Sequence, residues 1–198
     1  MRLPAQLYRQ FDADPARAVP GEGYGGWHTV AAELAPQHTA LVVMHAWDSG
    51  QPHEYPGWRR AVEYTPRAEQ ILRDVFPPLL AAVRRSPLPV FHVVGGDRDY
   101  WSHLPGYQRA AKLAGPSAVV STVPRDPVYE RLQQLRAAQG SPGQHNAPDI
   151  AAGFARLDFA PAARPAGEEG IAKNGAQLAA LCHAHGINHL IYAGFALN

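Results

Sequence analysis

Three short apolar runs constrain this chain more than any other feature: Ala40-Leu41-Val42-Val43-Met44, Val90-Phe91-His92-Val93-Val94 and Leu190-Ile191-Tyr192-Ala193. Each is rich in β-branched or aromatic residues, shows no polar alternation and stops at a turn-prone or polar cluster. Four or five residues is strand length rather than helix length. A strand without alternation is one covered on both faces, and sheets covered on both faces are usually parallel. The runs predict strands at 39–45, 89–94 and 189–194.

The segments between them read as helices. Thr65 is placed to cap a helix with Pro66 in its first turn, where a missing N–H costs nothing. Ala68, Ile71, Leu72, Val75, Phe76, Leu79, Leu80 and Val83 then recur at three- and four-residue spacing. Pro77-Pro78 interrupts that stripe and is expected to kink the helix or divide it in two. Asn174 caps a second helix carrying Leu178, Leu181 and Cys182, which Gly186 ends. A third helix is expected over Pro127–Ala138, with Val128, Leu132 and Leu135 on one side. Pro and Gly cluster at 19–26, 86–106, 115–127 and 140–148, which read as loops. The order strand–helix–strand–helix–strand predicts an α/β fold with a central, mainly parallel sheet.

Composition narrows the function classes. A chain of 198 residues suits one domain, able to bury about 70% of its unfolded surface. Lys+Arg 18 against Asp+Glu 17 gives a net charge of +1 and no electrostatic footprint for nucleic acid. No apolar run approaches the ~20 residues of a membrane span, and the N-terminus has no apolar signal-peptide core. The single cysteine, Cys182, excludes a disulfide framework and a multi-cysteine zinc site, so a reduced, cytoplasmic setting is expected. Cys182 lies in the apolar stripe of its helix and reads as a core thiol.

In open parallel sheets, ligands bind beyond the carboxyl ends of the strands. Here those ends are His45-Ala46-Trp47-Asp48, Gly95 through Asp99, and Gly194 through Asn198. His45 suits general-base work, since a histidine titrates near pH 6.5; it reads equally as a buried histidine bonded to a backbone carbonyl. Asp48 serves either to orient His45 or to cap its own loop. Trp47 lines the pocket or packs beside it. Asp97, Asp99 and His103 have metal-ligand chemistry but the composition of an ordinary solvated loop, and no metal or other cofactor is expected. "GEGYGG" at 21–26 follows no strand and opens no helix, so a phosphate loop fails its context.

The segments "TALVVMHAWD" (39–48), "PVFHVVGG" (89–96) and "NGAQLAALCHAHGINHLIYAGFALN" (174–198) together resemble the isochorismatase-like cysteine hydrolases, the superfamily of nicotinamidases, isochorismatases and N-carbamoylsarcosine amidases. The resemblance implies a three-layer α/β/α fold and a Cys–Asp–Lys triad acting on a small amide, ureido or enol-ether substrate. It implies a nucleophilic cysteine two residues beyond Asn198, and so a chain whose C-terminal part is missing here. His45 stands where the family has its Asp. No lysine clearly matches: Lys173 lies too close to the last helix, and Arg156 and Arg164 fall nearer the expected region. Gly95 stands where one branch has a metal-binding Asp. Residues 1–35 read as an N-terminal extension that, like 97–150, matches nothing in the family.

These readings converge on one candidate site. His45 and Asp48 are its catalytic candidates, and Trp47, Gly194, Phe195, Ala196 and Asn198 its substrate-binding residues, for a small-molecule substrate. The alternative is a non-catalytic α/β module that keeps the pocket. A last strand without a following helix leaves a sheet face uncovered, which favours a homo-oligomer.

Overall fold

Residues 1–95, 100–116 and 121–196 are described by a computed structural model. A four-stranded parallel sheet is built on the three apolar runs. In chain order the strands are β1 (Arg2–Arg9), β2 (Gly26–Glu33), β3 (Thr39–Met44), β4 (Val90–Val93), β5 (Gly170–Ala172) and β6 (His189–Gly194). The helices are α1 (Pro56–Ala61), α2 (Thr65–Asp74), α3 (Phe76–Arg84), α4 (Pro105–Ala114), α5 (Pro127–Gln139), α6 (Ala147–Phe154) and α7 (Gly175–His185). The sheet order is β5-β4-β3-β6, with every pairing parallel. The central strand β3 aligns Val42 with Phe91 on one side and with Tyr192 on the other.

Helices cover both faces, giving a three-layer α/β/α architecture. On one face Leu72, Phe76 and Leu80 of α2 and α3 pack with Leu41, Val43 and Val90. On the other, Ala110 of α4 and Leu181 of α7 pack with Ala40, Phe91 and Ala172. This two-sided burial explains why the strand sequences do not alternate. A third cluster joins Trp58, Val94, Trp101 and Phe159, with Trp101 and Phe159 ring centroids 4.6 Å apart.

The Pro77-Pro78 pair divides the long stripe in two: α2 ends at Asp74, α3 starts at Phe76, and both prolines fall in the first turn of α3. Two groups placed to cap helices behave differently. The Asn174 side chain accepts from the Gln177 N–H at 2.9 Å, and Gly186 ends α7 with a left-handed backbone at φ 64°. Thr65 does not cap α2. Its hydroxyl instead donates to the Val62 carbonyl at 2.7 Å, and Tyr64 holds the cap position.

Helix α5 forms over the expected residues but contributes nothing to the core. Val128, Leu132 and Leu135 are 53%, 53% and 58% exposed, and no residue of the helix is buried. Its N-terminus is held locally by Asp126, whose carboxylate accepts from the N–H groups of Val128 and Tyr129. Residues 1–35 contribute an antiparallel hairpin, β1 with β2, paired from Arg2–Glu33 to Arg9–Gly26. No described helix is long and apolar enough to cross a membrane.

Inside the sheet sits one polar network. His92 of β4 is fully buried, and its Nε2–H donates to Glu169 at 2.9 Å, while Nδ1 has no partner among the described residues. Burial pushes the His92 imidazole below its ordinary value near 6.5, outweighing the nearby Glu169 carboxylate. Burial alone would raise Glu169. Hydrogen bonds from Arg84 (2.7 and 2.8 Å), His92 and the Ala166 N–H outweigh it and hold the carboxyl at about 2.

Both groups therefore bind protons more readily in the unfolded chain, and stability is lost as pH falls. His92 draws stability away below about pH 6.5, and Glu169 draws more below about pH 4.5, the latter on the order of 2–3 kcal/mol in all. Denaturant melts at pH 7, 5.5 and 4 are expected to show both losses. Glu169→Gln is expected to remove the lower one while costing about 2 kcal/mol at pH 7, where Arg84 loses its ionised partner. A variant with an unchanged acid limb would show that the network is not its source.

Candidate functional site

The candidate site is built from backbone that leaves the strand region of conformational space. Directly after β3, His45 adopts φ 49°, and two residues after β6, Ala196 adopts φ 52°. Apart from Asp12, these are the non-glycine residues with positive φ among the described residues. An L-residue pays roughly 1–2 kcal/mol to sit there. Strain of this kind persists only where the surroundings over-determine it, and it collects at functional sites.

The surroundings do over-determine it. The His45 N–H donates to the Val93 carbonyl at 3.0 Å, and the Phe195 N–H donates to the Met44 carbonyl at 3.0 Å. These two bonds continue the ladders on either side of β3 past its last residue. Phe195 is anchored by rings on both sides, with centroids 6.4 Å from Tyr64 and 6.1 Å from Phe76. Gly194 lets the two strand ends approach. A Cβ on it would lie 2.0 Å from the Met44 carbonyl oxygen, and its φ of 154° is in glycine territory.

A cleft open to solvent lies beyond these strand ends. His45, Trp47, Phe195 and Ala196 line it, together with Trp58 and Tyr64 from the segment around α1 and α2. Its walls are largely apolar, with four aromatic side chains among them, as ligand clefts generally are. The His45 ring leans on Trp47, centroids 4.8 Å apart at 35°. Burial pushes the His45 imidazole below its ordinary value near 6.5. At neutral pH it is therefore uncharged, a base with a free lone pair on one nitrogen.

The other candidates fall differently. Asp48 faces away from this cleft into an adjoining groove, where its Oδ1 accepts from the Gly50 N–H at 2.9 Å and its Oδ2 lies 3.9 Å from Arg156. It caps its own loop. Gly194 borders a shallower groove that shares Phe195 and Ala196 with the cleft. Asn198 lies outside the described residues, as do Asp97 and Asp99; His103 is exposed. Arg156 lies over the Tyr55 ring and pairs with Glu54 at 3.2 Å, and Arg164 pairs with Asp158 at 2.5 Å, so both are engaged away from His45. Cys182 packs beside the α7 core, where burial raises its pKa, and it has the character of an inert thiol.

Ser49, Trp58, Val62, Tyr64 and Glu69 line the cleft without having given a sequence signal, and Glu69 is the charged one among them. Glu69 of α2 borders the cleft with its carboxylate held by both Arg59 guanidinium nitrogens, at 2.5 and 2.8 Å, and by the Ser49 hydroxyl at 3.1 Å. The Arg59 hydrogen bonds lower its pKa despite partial burial, so the group is ionised. Glu69 sits on the polar side of an amphipathic helix, where a glutamate is unremarkable; only the fold brings Ser49 and Arg59 to it. No family model matches the chain, and no curated protein does.

Gly194→Ala tests the geometry of the strand ends. The added methyl meets backbone rather than a flexible side chain, so β6 has to shift away from β3. The expected loss is about 3 kcal/mol, within the range of a severe overpacking or backbone-strain mutation. A denaturant melt that moves by less than about 0.5 kcal/mol would show that the two strand ends are not locked together.

Proposed function

We propose that this chain forms the substrate cleft of an isochorismatase-like cysteine hydrolase acting on a small amide, ureido or enol-ether compound. The observation that supports it most is the convergence of an uncharged His45 and the Phe195–Ala196 turn on one apolar cleft beyond neighbouring parallel strands. In this reading His45 is the proton acceptor. The nucleophile is a cysteine two residues beyond Asn198, the position that the motif at 189–198 assigns to it. His45 takes the thiol proton, and the resulting imidazolium and thiolate stabilise each other. The thiolate attacks the carbonyl carbon of an amide or ureido substrate, and the carbonyl π pair moves to oxygen, where the Ala196 N–H holds it. The imidazolium then protonates the leaving nitrogen as the C–N bond breaks, and water hydrolyses the thioester to the acid and the free thiol. The aromatic side chains of the walls receive the apolar part of the substrate.

A second reading, a binding module without catalysis, is favoured by Asp48. Its carboxylate is committed to Gly50 and turned from the cleft. Among the described residues no lysine lines the cleft, and its carboxylate, Glu69, is already paired.

The two readings part in one experiment. The chain is expressed together with the residues encoded after Asn198, and iodoacetamide alkylation is followed across pH. A cysteine at the expected position, reacting rapidly at pH 7, is the expected result. His45→Ala is expected to slow that reaction at least tenfold, because an unassisted thiol with a pKa of about 8.5 is only a few per cent thiolate there. The melting temperature is expected to stay nearly unchanged. No cysteine at that position, or alkylation that is indifferent to His45→Ala, leaves the binding module.

A further inference from the structure

The cleft that holds His45 does not end in solid protein. A larger groove adjoins it, and the two share Trp47, Ser49, Glu69 and Leu72 in their walls. Trp47 and Leu72 belong to the packed body of the protein, in contact with its hydrophobic clusters. The remaining pair is a bridge. The Ser49 hydroxyl, on the loop after β3, donates to Glu69 on α2 across 3.1 Å.

Each end of that bridge is held in place. Glu69 is gripped by both Arg59 nitrogens. The Ser49 loop is tightened one residue on, where Gly50, at φ 71°, donates its N–H to Asp48. We propose that the Ser49–Glu69–Arg59 bridge is a partition that stops a compound in the His45 cleft from extending into this larger groove. This inference rests on the reading of the cleft as a small-molecule site and adds its specificity determinant.

The physical reason is desolvation. A ring-sized compound fills the aromatic part of the cleft and stops at Glu69. A longer apolar compound has to press against an ionised carboxylate and part its hydrogen bonds, leaving charge without solvent or partner. With the bridge removed, the same compound extends into the outer groove, whose walls include Pro52, Ala160 and Pro161.

Trp47 and Trp58 line the cleft and report occupancy through quenching of tryptophan fluorescence. The probes are benzamide and biphenyl-4-carboxamide. The unaltered chain is expected to bind benzamide and to bind the longer amide at least tenfold more weakly. The double variant Arg59→Met with Glu69→Ala is expected to shift that ratio at least tenfold toward the longer amide. Ser49→Gly, which opens the bridge but keeps the carboxylate ionised, is expected to shift it the same way by a smaller factor. The double variant removes both charges together, and Ser49→Gly leaves the ion pair whole, so the comparison stands if the double variant fails to fold. Equal binding of the two amides by the unaltered chain overturns the partition, as does an unchanged ratio in the variants while benzamide still binds. Failure of the unaltered chain to bind benzamide overturns the partition together with the reading of the cleft on which it rests.

Discussion

The structure depends on the position of β3 between two parallel neighbours. Thr39–Val43 are all buried, with helices over both faces and a hydrogen-bonded strand along each edge. A strand so enclosed needs apolar side chains on both faces and backbone partners on both sides, because a buried N–H or carbonyl left unpaired costs about 1–3 kcal/mol. The same enclosure fixes the residues just past the strand ends. His45 and Phe195 are placed by hydrogen bonds to Val93 and Met44, which are themselves in the sheet. The left-handed backbone at His45 and Ala196 costs roughly 1–2 kcal/mol per residue, and these ladders hold the chain there against that cost.

Legibility in the sequence tracks how locally each feature is encoded. β3, β4 and β6 were legible because each is a run of four to six consecutive apolar residues. Burial on both faces accounts for that in β3 and β4, while β6 is only partly covered, with Tyr192 45% exposed. The break at Pro77-Pro78, the Asn174 cap and the Gly186 stop were legible because each acts through its own backbone or one turn away. β5 was not, since Gly170-Ile171-Ala172 is three residues long and becomes a strand only by pairing with β4. The hairpin of β1 and β2 was hidden for a different reason. Its Trp27 is 70% exposed and no residue of either strand is buried, so its pattern marks no buried face. The stripe on α5 shows the converse error: a correct helix whose apolar side meets solvent instead of the core.

The candidate site divides in the same way. His45, Trp47, Phe195 and Ala196 were legible because topology places all strand carboxyl ends in one region, whatever the side chains. Asp48 belongs to the same stretch of sequence, yet its carboxylate turns to Gly50 two residues on. Short-range competition of this kind for a backbone N–H is what Asp does well in loops. Glu69 stayed invisible because its role is set by Arg59 and Ser49, 10 and 20 residues away on other elements.

Two histidines, one at the end of β3 and one within β4, show how the fold separates structure from chemistry. Burial lowers the pKa of both, so both are uncharged at neutral pH. His92 spends its Nε2–H on Glu169 and is wholly enclosed, so a proton delivered to Nδ1 would arrive in a place with neither solvent nor acceptor. His45 faces a cleft instead, with no side-chain hydrogen bond to another described residue. A proton gained there is shared with whatever the cleft holds, and an anion formed in the same step would sit beside it. The carboxylates complete the division: Glu169 secures His92 inside the sheet, while Glu69, tied to Arg59, lines the cleft without pairing with His45. An acidic partner on His45 would have opposed the effect of burial and raised its pKa. The chemistry of the site therefore depends as much on which carboxylates the fold keeps away from His45 as on the histidine itself.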